Sequence, residues 1–259
     1  MPTPRTTTSA SLPEGARPFD CDGGVAVVTG AASGLGRAIA TACAARGMRM
    51  VLADIDTAAL GSVVAELSGR TACMSRTTDV RVAAALEALA DVAFDTFGGV
   101  DLLFNNAGAV VTRPLLETTT ADWRWMLDVN LWSVIHGVAA FLPRMLEQGR
   151  ESRVVNTASA AGFLSEPDLG AYAVSKHAVV ALSETLHKEL ARDGANVGVT
   201  VLSPAFVPTG IADSERARPD DDAPAAATRS AAARAAEARL HKAVHSCRLT
   251  ADDVAARVL

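Results

Sequence analysis

Tyr172 and Lys176 stand four residues apart in the stretch GAYAVSKHAVV (170–180). Tyr172 is the single tyrosine among 259 residues, and Lys188 and Lys242 are the only other lysines. A phenol titrates near pH ~10 and is a poor base at neutral pH. On a helix, positions i and i+4 share a face, so an ammonium there can stabilise the phenolate and lower the phenol's pKa. The chemistry open to such a pair is general acid–base catalysis at an oxygen. An isolated YxxxK has a plainer explanation, a partly buried tyrosine beside a solvated lysine, so the rest of the chain must supply the other parts of a site.

A second group of residues suits a phosphate. TGAASGLG (29–36) falls where an apolar run, VAVVTG (25–30), gives way to a helical pattern. Gly30, Gly34 and Gly36, with Ser33 and Leu35 between them, let the backbone turn sharply and approach a pyrophosphate, whose charge then meets the free N–H groups of the helix start. Asp54 ends the next apolar run, MRMVLAD (48–54), about 20 residues further on, where a carboxylate can accept hydrogen bonds from both adenosine ribose hydroxyls. It would repel a 2′-phosphate, and Ala32, Ser33 and Ile55 bring no arginine to offset that, so NAD is favoured over NADP. Asp54 could alternatively cap a helix, although Asp56 and Thr57 are better placed to do so. The positive charge of a bound nicotinamide would act on Tyr172 in the same sense as Lys176.

These residues need a scaffold. Six apolar runs, at 25–30, 48–54, 72–75, 101–106, 153–159 and 196–204, alternate with helical segments predicted over 34–47, 57–68, 80–97, 121–147, 170–193 and 250–258. The alternation predicts right-handed βαβ crossovers and an α/β fold, a Rossmann-like doubly wound parallel sheet with helices on both faces. A flexible N-terminal extension is expected over 1–22 and a single domain over 23–259. Residues 205–249 break the rhythm and read as a substrate-specificity loop and helix. The Ala/Arg-rich stretch 223–245 suggests a helix over the sheet edge joined by a mobile loop, or a solvated helix with no special role.

Composition narrows the partners. With 49% hydrophobic residues and 4% aromatic, the core is built from Ala, Val and Leu, which suits helices close to a parallel sheet. A net charge of −5 offers no general reason to bind nucleic acid or an anionic membrane. Cys21, Cys43, Cys73 and Cys247 lack metal or disulfide spacing, and the five histidines form no ligand group, so no metal is expected. No apolar run is read as a membrane span and the first twenty residues lack a signal-peptide core, so a cytoplasmic protein is expected. Trp123, Trp125 and Trp132 are expected to fill core or interface.

Taken together, TGAASGLG, Asp79–Val80, NNAG (105–108), Asn130 in DVNLW, Ser159 in NTASAAG and YAVSK resemble the short-chain dehydrogenase/reductase family, in order and approximate spacing, over about residues 23 to 210. The resemblance implies that Tyr172 is the catalytic acid/base, Lys176 its modulator and a ligand of the nicotinamide ribose, and Ser159 a hydrogen-bond donor to the substrate oxygen. It implies that Asn130 holds a water in a proton relay, that Asp79 and Val80 lie at the adenine, and that Asn106, Ala107 and Gly108 lie beside the adenosine ribose. Pro204 is followed by Ala205 where relatives carry glycine, which could shift the backbone beside the nicotinamide; Val207 and Thr209 are expected at the carboxamide. Relatives continue into a seventh strand where this chain ends, and they are commonly dimers or tetramers, so a homodimer or homotetramer is expected.

The reading that results is NAD-dependent interconversion of a secondary alcohol and a ketone. Apolar Val110, Ala161, Phe163 and Leu164 near Ser159 point to a lipophilic, cyclic alcohol or ketone such as a terpenoid, steroid or other secondary metabolite. Two alternatives stand beside it: an NADPH-dependent ketoreductase, and a non-catalytic dinucleotide-binding regulator.

Overall fold

A computed structural model describes residues 19–218 and 230–259 of the chain. Six parallel strands form one sheet in the order β3-β2-β1-β4-β5-β6. They are β1 Val25–Thr29, β2 Arg49–Asp54, β3 Cys73–Thr77, β4 Leu102–Asn105, β5 Ser152–Thr157 and β6 Val197–Leu202. Where the resemblance implies a seventh strand, the described residues hold these six.

Both faces of the central strands are buried, so their sequences are continuously apolar, with alternate residues entering opposite cores. Ala26, Val28, Met50, Leu52 and Phe104 point toward Ile39 and Ala40 of α1 (Gly34–Ala45) and Leu60 and Val63 of α2 (Thr57–Leu67). Val27, Val51, Leu103 and Val154 point toward Leu86 and Leu89 of α3 (Ala83–Phe97), Phe141 and Met145 of α5 (Ser133–Glu147) and Leu190 of α6 (Gly170–Arg192). Cys21 is buried in the first of these cores and Phe19 packs on it, so the packed body begins before residue 23; residues 1–18 of the expected extension lie outside the described residues.

Three helical regions depart from the sequence expectation. Helix α3 starts at Ala83 rather than at 80, because Asp79 turns its carboxylate onto the Arg81 N–H and the chain stays extended at Val82. The helix expected over 121–147 is α4 (Thr120–Leu127) and α5 joined by a π-helical turn, Asp128–Trp132, with Asn130 at its centre. This continuous run, Thr120–Glu147, is long and apolar enough by length and composition to cross a membrane, contrary to the expectation that no run is; its inner side packs on α3 and α6. The Ala/Arg-rich stretch contributes α7 (Ala231–Ser246), which covers an apolar cavity beside the strand ends; the loop expected before it falls largely on residues outside those described. Helix α8 (Ala251–Val258) packs on α1.

Candidate active site

The carboxyl ends of β1 and β4 flank the point where strand order reverses, the place where open α/β sheets form a binding crevice. A cavity of about 340 Å3 opens there. Its wall contains Gly30, Ser33, Gly34, Leu35, Gly36, Asp54, Asp79, Val80, Asn106, Ala107, Gly108, Pro204, Val207 and Thr209, together with Ser159, Tyr172 and Lys176. All the residues expected at the dinucleotide are therefore brought to one cavity.

The glycine turn is shaped for an anion. Gly30 has φ +66°, and a Cβ there would stand 2.8 Å from the Ala107 Cα. Ser33, the N-cap of α1, makes no side-chain capping bond, so no side chain competes for the first-turn N–H groups. Asn106 fastens the floor: its Nδ2 donates to the Thr29 carbonyl at 3.0 Å, while the Thr29 hydroxyl accepts from the N–H groups of Asn106 (3.0 Å) and Ala107 (3.1 Å). Asp54 is fixed by the Ala32 N–H on Oδ2 (2.9 Å) and the Asp56 N–H on Oδ1 (3.0 Å). It does not cap α2; Asp56 does, accepting from the Ala59 N–H.

Two arginines that the local sequence around Asp54 did not show, Arg81 and Arg216, also line the cavity. Arg81 follows the end of β3, which pairs with β2 through Thr77 opposite Asp54, and it is held at 2.8 Å by Asp79. Burial alone would raise the Asp79 carboxyl, but its bonds from Arg81 hold it below the usual carboxylate range. The pairing of β3 with β2 is what brings Arg81 toward the Asp54 end.

A second cavity, about 870 Å3, adjoins the first, and Ser159 and Tyr172 lie in the walls of both. Val110, Ala161, Leu164, Phe206, Leu240 and Val244 supply apolar wall, the last two from α7. Phe163, expected here, is instead 58% exposed and does not line it. Ala205, in place of glycine, adopts no positive φ, so that position demands no glycine. Pro204 uses its carbonyl to accept from the Ala160 N–H at 2.9 Å and, more distantly, from the Ser159 hydroxyl at 3.4 Å.

Around the phenol the geometry corrects one expectation. Lys176 donates from Nζ to the Thr157 carbonyl at 2.9 Å and lies 5.8 Å from the centre of the Tyr172 ring. Burial pushes the Tyr172 phenol above its ordinary value, with the Ser159 hydroxyl pulling the other way, so the lowering expected from Lys176 does not outweigh burial in this geometry. The lysine itself is pushed down from 10.5 to about 8 by burial. Asn130 is fully buried and does not line the cavity. Its Nδ2 donates to the Ala109 carbonyl (2.9 Å) and the Ser175 hydroxyl (3.0 Å), and its Oδ1 accepts from the Ala109 N–H (2.8 Å). A Cβ on Gly108 would come within 3.3 Å of Asn130 Oδ1 and 3.5 Å of Lys176 Nζ, so these residues form one group.

The lysine's position has a measurable thermodynamic signature. Between pH 8 and 10.5 the unfolded chain holds a proton on Lys176 that the folded chain has released, so this group's contribution to stability rises with pH across that window. Below it the full cost of burying the ammonium is present. Melting temperatures of wild type and Lys176→Met, compared on both sides of the window, are expected to differ in slope, the wild type gaining relative to the variant as pH rises.

The family model for short chain dehydrogenase matches residues 24–220. A 1-deoxy-11-beta-hydroxypentalenate dehydrogenase of Streptomyces exfoliatus is 41% identical over 187 residues, spanning 71% of this chain and 67% of the relative. A short chain dehydrogenase/reductase from Burkholderia phymatum, solved in complex with NAD, superposes with TM-score 0.90 at 48% identity, covering 92% of this chain and 85% of that one. An alcohol dehydrogenase from the archaeon Thermococcus sibiricus, complexed with 5-hydroxy-NADP, superposes with TM-score 0.74 at 26% identity, covering 90% and 88%. The chain belongs to the short-chain dehydrogenase/reductase family. It is an oxidoreductase acting on CH–OH groups with a nicotinamide dinucleotide cofactor.

Proposed function

We propose that the protein is an NAD-dependent dehydrogenase interconverting a lipophilic, cyclic secondary alcohol and its ketone. The observation that carries this reading is the meeting of the two cavities at Ser159 and Tyr172. One cavity has a glycine cradle and a fixed carboxylate suited to a dinucleotide, and the other is large and predominantly apolar. The pentalenate dehydrogenase relative supports a terpenoid-like substrate, and the NAD complex of the Burkholderia phymatum protein supports NAD.

The residues divide the work as follows. When bound, the dinucleotide supplies the hydride acceptor in oxidation and the donor in reduction. Tyr172 takes the alcohol proton at its phenolic oxygen in oxidation and returns it in reduction. Ser159 donates its hydroxyl hydrogen to the substrate oxygen and stabilises negative charge developing there. Lys176 would supply positive charge at the nicotinamide ribose, and Asn130 keeps Ala109 and Ser175 in place beside it. Leu240 and Val244 of α7 keep water from the apolar side. Asp54 would accept from the adenosine ribose hydroxyls, Asp79 and Val80 would hold the adenine, and Val207 and Thr209 would hold the carboxamide. Trp132, 47% exposed on the π turn, suits subunit packing in a homo-oligomer.

Use of NADP as an alternative is favoured by one observation, Arg81 and Arg216 in the dinucleotide cavity, and the Thermococcus sibiricus structure carries an NADP derivative. Against it, Arg81 is already neutralised by Asp79 and Asp54 would face a 2′-phosphate. Fluorescence titrations with NADH and NADPH in parallel, followed by a panel of cyclic secondary alcohols with NAD, test the reading. Tighter NADH binding and NADH formation are expected; preference for NADPH would overturn the cofactor assignment, and no turnover on any alcohol would overturn the substrate class. Asp54→Ala is expected to narrow the NADH-over-NADPH affinity ratio about tenfold, equivalent to about 1.4 kcal/mol. An unchanged ratio would remove Asp54 from the ribose site.

A further inference from the structure

Outside both cavities, four charged side chains form a largely buried network where the 3-10 segment Gly210–Ala217 meets α4. Asp122 has no exposed surface. Its Oδ1 accepts from Arg218 Nη1 at 2.6 Å; its Oδ2 accepts from the Thr119 N–H and hydroxyl and lies 3.3 Å from Arg113 Nε. Arg113 reaches on to Glu215 at 2.9 Å. The Arg218 guanidinium lies 5.2 Å from the centre of the Trp125 ring, and among the described residues its Nε and Nη2 have no hydrogen-bond partner, so Asp122 is its hydrogen-bonded anchor there. Burial alone would raise the Asp122 carboxyl, but the Arg218 hydrogen bond, those from Thr119 and the charge of Arg113 hold it below the usual carboxylate range, so the anchor is ionised at neutral pH.

Buried ion pairs add little net stability, because desolvation offsets the attraction; their use lies in fixing one geometry. The Gly210–Ala217 segment needs such fixing, for none of its residues is buried. It is held by polar contacts: Ser214 accepts the Val110 N–H at 2.8 Å, Glu215 pairs with Arg113, and Arg218 just beyond pairs with Asp122. Within the segment, Ile211 lines both cavities, and Ser214 and Arg216 line the dinucleotide cavity. The geometry points to a clamp in which Asp122 and Arg113, by holding Arg218 and Glu215, keep this wall in its binding position before ligand arrives. Arg218 and Asp122 are then positioning residues for the reaction. The inference rests on the reading of the first cavity as a nicotinamide dinucleotide site.

Arg218→Met tests the clamp, since methionine keeps an unbranched apolar stem against Trp125 while removing the charge. If the wall then occupies its binding position a tenth of the time, the apparent Kd for NADH rises about tenfold, the fraction competent entering directly. KM for the alcohol is expected to rise with it, kcat at saturation to stay within about twofold, and Arg218→Lys to restore part of the affinity. In protein without added dinucleotide, tryptic cleavage after the exposed Arg216 is expected to be several-fold faster than in wild type. A fall in kcat with Kd and KM unchanged would mean only loss of folded enzyme and would overturn the clamp, as would unchanged NADH affinity. If Arg218→Met does not fold, Glu215→Gln carries the same test from the more exposed end of the network. Failure of the wild type to bind NADH would instead sink the reading of the cavity, while cleavage at Arg216 would still decide whether the segment is held.

Discussion

Tyr172→Phe is expected to reduce turnover of a secondary alcohol by about a thousandfold, within the range that a positioned acid–base group supplies, while NADH affinity changes by less than about twofold. The substitution removes one oxygen and keeps the ring that lines both cavities, so the dinucleotide wall is preserved. What disappears is the group able to take the alcohol proton where Ser159 also meets the substrate. Because burial raises the phenol in the protein by itself, most Tyr172 is protonated at neutral pH, and oxidation by wild type should quicken as pH rises. The variant should lose that dependence on the phenol. Steady-state rates across pH with a parallel NADH titration check both parts. Activity retained within tenfold would show that another group, or water, moves the proton.

Much of this site could be read from residue order because its parts sit at element ends. VAVV (25–28) and MVLA (50–53) are continuously apolar because β1 and β2 are buried on both faces, and each is followed within two residues by one that lines the cavity, Gly30 and Asp54. The glycines, Asp54, Asn106, Ser159 and Tyr172 converge because parallel strands place all their carboxyl ends on one edge. Contacts between elements distant in sequence were not legible. Arg81 nears the Asp54 end only through the pairing of β3 with β2, and Asp122 and Arg218 meet across 96 residues. Strand β3 was misplaced by two residues at its end because, at the sheet edge, Ser75, Arg76 and Thr77 are exposed and carry no apolar signal.

The Tyr172–Lys176 spacing points to the right neighbourhood, but burial of the phenol outweighs the ammonium's pull in this geometry. Sharing a helix face brings the two side chains near each other, but the ammonium turns to the Thr157 carbonyl at the end of β5, a partner invisible from the helix alone. Asn130 shows the same limit. Its place in the long helix was legible, whereas the π turn and the spending of its amide on Ala109 and Ser175 depend on how α4 and α5 pack against α6.

The second large effect is expected from one methyl group at the start of α1. A Cβ on residue 36 would stand 2.0 Å from the Gly30 carbonyl oxygen and 2.7 Å from Asn106 Nδ2. Neither neighbour can yield cheaply: the first is backbone, and the second is tied to the Thr29 carbonyl. Relief requires α1 to move away from β1, which would loosen Ile39 and Ala40, both fully buried beneath it. Overpacking of this kind costs about 1–3 kcal/mol and occasionally more, and contact with immobile backbone puts Gly36→Ala at the upper end. At about 3 kcal/mol the melting temperature should fall by roughly 6–12 °C for a chain of this size. The same displacement carries the helix start away from the pyrophosphate position, so NADH binding should weaken by at least about a hundredfold, well beyond the loss of folded protein. Gly61→Ala is the control, since Gly61 lies inside α2 with nothing within 4 Å of an added Cβ, and there alanine should stabilise by about 0.5–1 kcal/mol. A Gly36→Ala protein that melts with wild type and binds NADH normally would mean that this turn neither packs as closely as described nor holds the phosphates.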